Sequence, residues 1–263
     1  MRACNPRLLK GSDLVPHTTR RSSLGTAYRG LATLVSPTVS ATTKKDWRGT
    51  ENLVFDGGCV IGANHISWSD PPILAQFIWA NDRPPRFLGK ESVFHVPIFG
   101  SLITSAGQIP VARDGDAAAA ALAAIEAARK GETVVVYPEG TITKDPDLWP
   151  MCAKTGAARI ALTADVPLIP VAQWGPQDIL SPHGKALKLF PLKTVHMRVG
   201  PAIDLDDLRG REIDEKVLRV ATARLMAAIT SMLEDVRGEK APQGCWDRSN
   251  SGERSELTTE WSD

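Results

Sequence analysis

The sequence is short of the features that would fix its class at once. No C-x-x-C pair is present: Cys4, Cys59, Cys152 and Cys245 stand far apart with no histidine at ligand spacing. Neither a zinc site nor a disulfide framework is therefore expected, and a reducing compartment fits the cysteine usage. Net charge is almost missing too, with 31 Lys and Arg against 30 Asp and Glu. Long apolar runs are absent. The longest uncharged stretch, Ser92 to Ala112, is interrupted by Pro97, Gly100, Gly107 and Pro110, breaks that a lipid-exposed helix does not tolerate. It is expected to form a buried loop or an interfacial surface. No apolar segment follows the early positive charges, so no signal peptide is expected. There is no internal repeat and no G-x-S-x-G elbow, which removes solenoids and disfavours a serine hydrolase. A nucleic-acid partner is not expected either, because no helix-turn-helix pattern or interleaved basic and aromatic face occurs. What remains is 263 residues, 43% of them hydrophobic, enough for a core that needs neither metal nor disulfide.

Near-neutrality conceals an uneven distribution. Residues 1–50 carry nine basic and two acidic side chains, a net +7, whereas residues 239–263 carry three basic and six acidic, a net −3. A basic front end without a spanning helix suits contact with an anionic surface. The organisation expected is a basic, disordered segment over 1–25, one domain over 26–237, and a disordered acidic tail over 238–263.

Between these ends the text alternates. Ser23 to Ser40 places Tyr28, Leu31, Leu34 and Val35 at helical spacing until Pro37 stops it, a short amphipathic or interfacial helix. Gly58–Ala63 reads as a buried strand, Pro71–Asn81 as a helix and Gly107–Ala112 as a strand. Asp114 or Asp116 can cap the alanine-rich helix that Gly131 ends. Strand Glu132–Tyr137, a loop over Pro138–Pro150, helix Gly156–Ala164 and strand Val166–Gln173 follow. Ala186–Phe190 and Thr194–Val199 read as two more strands, and Asp214–Val236 as an amphipathic helix. The rhythm predicts an α/β fold with a central, mostly parallel sheet flanked by helices.

Candidate chemistry gathers at strand ends. Asn64-His65-Ile66-Ser67-Trp68-Ser69-Asp70 lies between a strand and a helix, where open α/β sheets bind ligands. Asp70 can hold the His65 imidazole in one tautomer while the other nitrogen takes a proton. Equally, Asp70 before Pro71 and Pro72 can be a simple helix cap. Arg113 ends the Gly107–Arg113 block, where its fork can hold a phosphate or be a surface charge. Tyr137-Pro138-Glu139-Gly140-Thr141 ends the next strand, as a turn with a carboxylate and free amides at one edge.

Taken together, four ordered blocks, NHxxxxD at 64–70, GxIxxxR at 107–113, YPEGT at 137–141 and VPxIPV at 166–171, resemble the glycerolipid acyltransferase family typified by bacterial 1-acylglycerol-3-phosphate acyltransferases. The resemblance implies transfer of a fatty acyl chain from acyl-CoA or acyl carrier protein to the free hydroxyl of 1-acylglycerol 3-phosphate, giving phosphatidic acid for phospholipid synthesis. Another lysophospholipid or glycerol 3-phosphate as acceptor, or a non-catalytic lipid-binding relative, is the alternative. It also implies His65 as general base, Asp70 as its orienting partner, Arg113 as a phosphate ligand, and Glu139, Gly140 and Thr141 as parts of the acceptor pocket. No metal and no cofactor is implied beyond the acyl co-substrate. The partners implied are membrane lipids on an anionic surface, at the cytoplasmic face and held peripherally. One departure matters: the third block continues as Thr141-Ile142-Thr143-Lys144, without the family's arginine, so its phosphate-binding share is assigned first to Lys90, then to Lys144 and Lys154.

Overall fold

The computed structural model describes residues 25–111, 117–182, 184, 186–247 and 254–255. Among these, the strands of the main sheet are β1 (Thr43–Arg48), β2 (Cys59–Ala63), β3 (Pro85–Lys90), β4 (Ile109–Val111), β5 (Thr133–Val136), β6 (Leu168–Trp174) and β7 (Lys193–Val199). They form one seven-stranded sheet in the order β1-β7-β6-β2-β5-β3-β4. Every pairing is parallel except β6 with β7. The expected α/β architecture with a mostly parallel sheet is thus what the chain builds.

Its register follows from the strand period of two. Val60, Val134, Val136 and Leu168 point to one face, where they pack with alanines of α5 (Ala117–Arg129) and α6 (Gly156–Ala164) and with Leu225 of α8 (Glu215–Arg237). Ile61, Val135 and Ile169 point to the other, against Val39 of α1 (Thr26–Thr42) and Leu74 and Phe77 of α2 (Asp70–Ala80). Each such side chain contributes roughly 2 kcal/mol on burial, and a one-residue slip would exchange the two faces. Close approach marks one position: a Cβ on Gly62 would lie 2.6 Å from the Leu225 side chain, so any larger residue there would require Leu225 of α8 to shift.

Arg83, fully buried, leads into β3. Its guanidinium donates to the carbonyls of Leu53, Phe55 and Gly57 and its Nε to Thr133 Oγ1, and it stacks on the Phe55 ring at 4.1 Å. The charge is tolerated there because carbonyl dipoles replace its water.

Several expectations are corrected. Helix α1 passes through Pro37 and ends at Thr42, because a missing amide donor costs one bond and the helix is held by its packing and by the Tyr28 hydroxyl donating to Pro85 O at 3.1 Å. Residues 186–190 form no strand; β7 already has β1 and β6 as neighbours, so neither side of it is left for a hairpin partner. The Ser92–Ala112 stretch holds α3 (Glu91–Phe94), α4 (Phe99–Ser105) and β4, and exposes Val96, Ile98 and Phe99. Asp114, Asp116 and residues 1–24 lie outside the described residues.

The tail is the largest correction, with 248–253 and 256–263 outside the described residues. Residues 238–247 and 254–255 are packed on the domain. Cys245–Trp246 pairs with Arg254–Ser255, Arg254 reaches buried Asp145 at 2.5 Å, Cys152 N donates to Trp246 O, and Cys152 and Cys245 form a disulfide. Spacing rules read only local cysteine pairs; these two are 93 residues apart and meet only once the tail folds back, so cysteine usage does not argue for a reducing compartment. Arg237, at the end of α8, stacks 3.8 Å above Trp149 beside this tail.

Candidate active site

The carboxyl end of β2 carries the site. Asn64, next in the chain, is locked to β6: its Nδ2 donates to Gln173 O, its Oδ1 accepts from Gln173 N, and its carbonyl accepts from Gln173 Nε2. With the strand end fixed, His65 to Ser69 turn sharply into α2. Asp70 opens that helix with Pro71 and Pro72 behind it, and its carboxylate turns back onto the preceding turn instead of capping the helix. Oδ2 accepts from Ile66 N at 2.6 Å and Ser67 N at 2.9 Å, and meets His65 Nδ1 at 2.7 Å. Oδ1 has no donor, so every stabilising contact converges on the oxygen that faces the imidazole. The helix-cap reading is corrected: Ser69 is the N-cap and no side chain caps the helix, while one oxygen of Asp70 braces the preceding turn and orients the histidine.

Burial shapes the charges. Asp70 is fully buried, which pushes its carboxyl up from its ordinary value, while the hydrogen bond from His65 pulls it back. An Asp70 carboxylate paired to Nδ1–H leaves Nε2 of His65 as the acceptor. The imidazole side chain is 12% exposed and stacks on Tyr137 with centroids 4.2 Å apart and planes 17° apart. Desolvation raises the Tyr137 phenol well above its ordinary value, with Asp70 adding in the same direction; the ring stays neutral and acts as a wall.

Glu139 is placed differently from the sequence-based expectation. Its carboxylate does not face an open pocket; it is 4% exposed, with Oε1 accepting from His65 N and Oε2 from Met151 N, each at 2.9 Å. Burial pushes this carboxyl up to about 8 despite both donors. The Thr143 amide completes the bracket by donating to His65 O at 2.7 Å. The backbone of His65 is thus gripped on both sides by the loop that follows β5.

The remaining candidates that are described fall at the same edge with different exposure. Lys90 ends β3 and is exposed. Lys154 is exposed, and its side chain lies beside Gly140, 3.5 Å from where a Cβ would stand. Gly140 takes φ 70°, the left-handed turn that glycine permits. Thr141 is half-buried and Lys144 exposed. Arg113 lies outside the described residues. Sequence reasoning assigned no role to Asn64, Ser67, Ser69, Tyr137 or Gln173. Ser67 Oγ donates to Leu180 O at 2.6 Å and Ser69 Oγ to Pro176 O at 3.0 Å, pinning the turn from its other side. The one local signal was the polar spelling of the motif itself, two serines in a turn that a cap alone does not need. Among the described residues no cluster of three or more metal-ligating side chains occurs.

The chain is similar to known proteins. A family model described as Acyltransferase matches residues 44–174, about half of the chain. A chloroplastic 1-acyl-sn-glycerol-3-phosphate acyltransferase from Brassica napus is 33% identical over 52% of this chain and 39% of its own length. A 1-acyl-sn-glycerol-3-phosphate acyltransferase from Streptococcus pneumoniae is 25% identical over 73% of this chain and 67% of its own. The chain thus spans only about two fifths of the plant relative's length. The crystal structure of a 1-acyl-sn-glycerophosphate acyltransferase from Thermotoga maritima superposes with TM-score 0.63 at 22% identity, covering 82% of this chain and 81% of that one. The chain belongs to the acyltransferase family.

Proposed function

We propose that the chain moves a fatty acyl group from an acyl thioester to the free hydroxyl of a 1-acylglycerol 3-phosphate, giving phosphatidic acid. The observation that carries this reading is the His65 Nδ1 to Asp70 Oδ2 contact at 2.7 Å with Nε2 left as a base at the sheet edge. Nε2 removes the acceptor's hydroxyl proton as that oxygen attacks the thioester carbonyl. The imidazolium so formed is charge-stabilised by Asp70. Collapse of the tetrahedral intermediate breaks the carbon–sulfur bond, and the proton on Nε2 leaves with the thiolate. No acyl-enzyme is needed, because the thioester is already activated and holding two substrates together supplies much of the rate. Lys90 and Arg113 are the groups proposed for the acceptor's phosphate, with Lys154 beside Gly140.

Purified protein supplied with lysophosphatidic acid and a long-chain acyl-CoA is expected to release free thiol in step with phosphatidic acid. Thiol release without acceptor would indicate a hydrolase, and the absence of release with either CoA or carrier-protein thioesters would indicate a binding module. A panel of lysophospholipids and glycerol 3-phosphate run beside it identifies the acceptor.

The same reading places the protein peripherally on an anionic membrane face, the cytoplasmic one. No helix among the described residues is long and apolar enough to cross a membrane. Supporting contact with lipid, Val96, Ile98 and Phe99 are exposed, Ile98 to 86%, in the segment leaving the carboxyl end of β3, and exposed Lys44 and Lys45 follow Thr43 in β1. Vesicles of anionic phospholipid are expected to sediment the protein, with binding lost between about 0.05 and 0.5 M salt. Equal binding after glutamine replaces Arg2, Arg7, Lys10, Arg20 and Arg21 would remove the basic front end from the account.

A further inference from the structure

The sheet order sets two cationic flanks around one base. Lys90 ends β3, on one side of β2; on the other side, past β6, stand Lys188 and Lys193. Residue Lys193 begins β7, and because β7 runs antiparallel to β6, it lies at the same edge of the sheet as His65. A transfer between two substrates needs two binding regions that meet at the base, and the acceptor's phosphate accounts for only the first flank.

A cavity of about 430 Å³ occupies the second flank, lined by Leu148, Gln177, Ser181, Lys188 and Lys193, with Asp178 also in the lining. Its volume is within the range of small-molecule sites. Both walls are tied to the catalytic turn. On one side Ser67 Oγ donates to Leu180 O and Ser69 Oγ to Pro176 O. On the other, Thr143 N donates to His65 O and Thr143 Oγ1 to Trp149 O, which fixes the neighbouring Leu148. That leucine is held at φ 61°, a left-handed conformation that a bulky side chain adopts only when its surroundings impose it. Among the described residues lysine–carboxylate ion pairs are formed by Lys130 and Lys240 and not by Lys188 or Lys193, so these two ammonium groups are available to an anion.

We propose that this cavity receives the phosphorylated nucleotide end of an acyl-CoA donor, with Lys188 and Lys193 holding its phosphates and the thioester directed toward His65. The proposal rests on the acyl-transfer reading above. An acidic carrier protein calls for a broad basic face, whereas here two cations converge in a concavity with Asp178 beside them, which disfavours a second acidic surface. A nucleobase amine, by contrast, finds an acceptor in that carboxylate.

The test uses the full chain carrying Lys188→Ala and Lys193→Ala together, with Lys188→Arg and Lys193→Arg as the charge-conserving control. Calorimetric titration with CoA and with dephospho-CoA measures the subsite directly. The alanine pair is expected to weaken CoA binding by about tenfold or more, and the arginine pair to restore most of it. In turnover the KM for acyl-CoA rises by a similar factor, while kcat, the KM for lysophosphatidic acid and the KM for a phosphate-free S-acyl pantetheine stay unchanged. Unaltered CoA affinity in the alanine pair overturns the proposal, as does an equal loss with the phosphate-free donor, which marks a structural defect. If wild-type protein binds no CoA yet acylates lysophosphatidic acid from a carrier-protein thioester, the subsite falls and the acyl-transfer reading stands. If CoA binds through these lysines but no acceptor is acylated, the subsite stands and that reading falls.

Discussion

Replacing His65 with alanine is expected to lower turnover by about 10³-fold, within the ~10²–10⁴-fold span of a positioned general base, without unfolding the protein. The reason lies in which atoms hold the residue. Glu139 Oε1 takes the His65 amide proton and Thr143 N donates to the His65 carbonyl, so the backbone bracket survives loss of the ring. Only the stacking on Tyr137 and the contact to Asp70 are lost. Asp70→Asn separates charge from geometry. An asparagine oxygen in place of Oδ2 still accepts from Ile66 N, Ser67 N and His65 Nδ1, so the turn and the tautomer persist while the charge that stabilises the imidazolium goes. A loss of about 10²-fold is expected there, and a larger one for Asp70→Ala, which also removes the brace. Steady-state rates with circular dichroism on each variant check this. Near-normal turnover in a folded His65→Ala protein would remove the base assignment.

Why this pair was legible in the sequence while its supports were not is a matter of range. His65 and Asp70 lie five residues apart, so one turn brings them together and the motif spells the geometry. Glu139 sits 74 residues from His65; in the sequence it reads as the middle of a Pro-Glu-Gly turn, and nothing local shows its carboxylate folding inward. The same division runs through the fold. Strands β2, β5 and β6 announce themselves because burial on both faces demands continuous apolar runs. Strand β1 spells TKKDWR and is largely exposed; it is held as a strand by parallel pairing with β7 and by Asp46, which Arg198 and His196 both contact at 2.7 Å. Strand β3 opens on Pro85 and carries Gly89, two residues that argue against a strand until β5 supplies the partner. Tail packing and the Cys152–Cys245 disulfide fail the same way, since only tertiary structure closes a separation of 93 residues.

The second large effect concerns Glu139, and its sign follows from its surroundings. Burial raises the carboxyl from 4.5 to about 8, so at neutral pH the group is mostly protonated in the folded protein and ionised in the unfolded chain. Folding then takes up a proton, and stability falls as pH rises through that window, by about 1.4 kcal/mol per pH unit. Above pH ~8 both states are ionised and the slope from this group vanishes. Asp70, also raised by burial, adds a slope of the same sign, so the comparison must be made against a Glu139→Gln variant that keeps Asp70. That variant cannot titrate at position 139, and its stability is expected to decline less steeply from pH 5 to 8, with the two curves parallel above that range. Urea unfolding at a series of pH values measures it, and parallel curves throughout would show that Glu139 is ionised at neutral pH in the fold. Glutamine also presents an amide group to one of the two backbone donors, His65 N or Met151 N, leaving a buried donor unpaired at about 1–3 kcal/mol. If the bracket positions the base, turnover drops by about tenfold or more with little change in KM for either substrate. A rise in acceptor KM at constant kcat would return Glu139 to the substrate-contacting role that its motif implied.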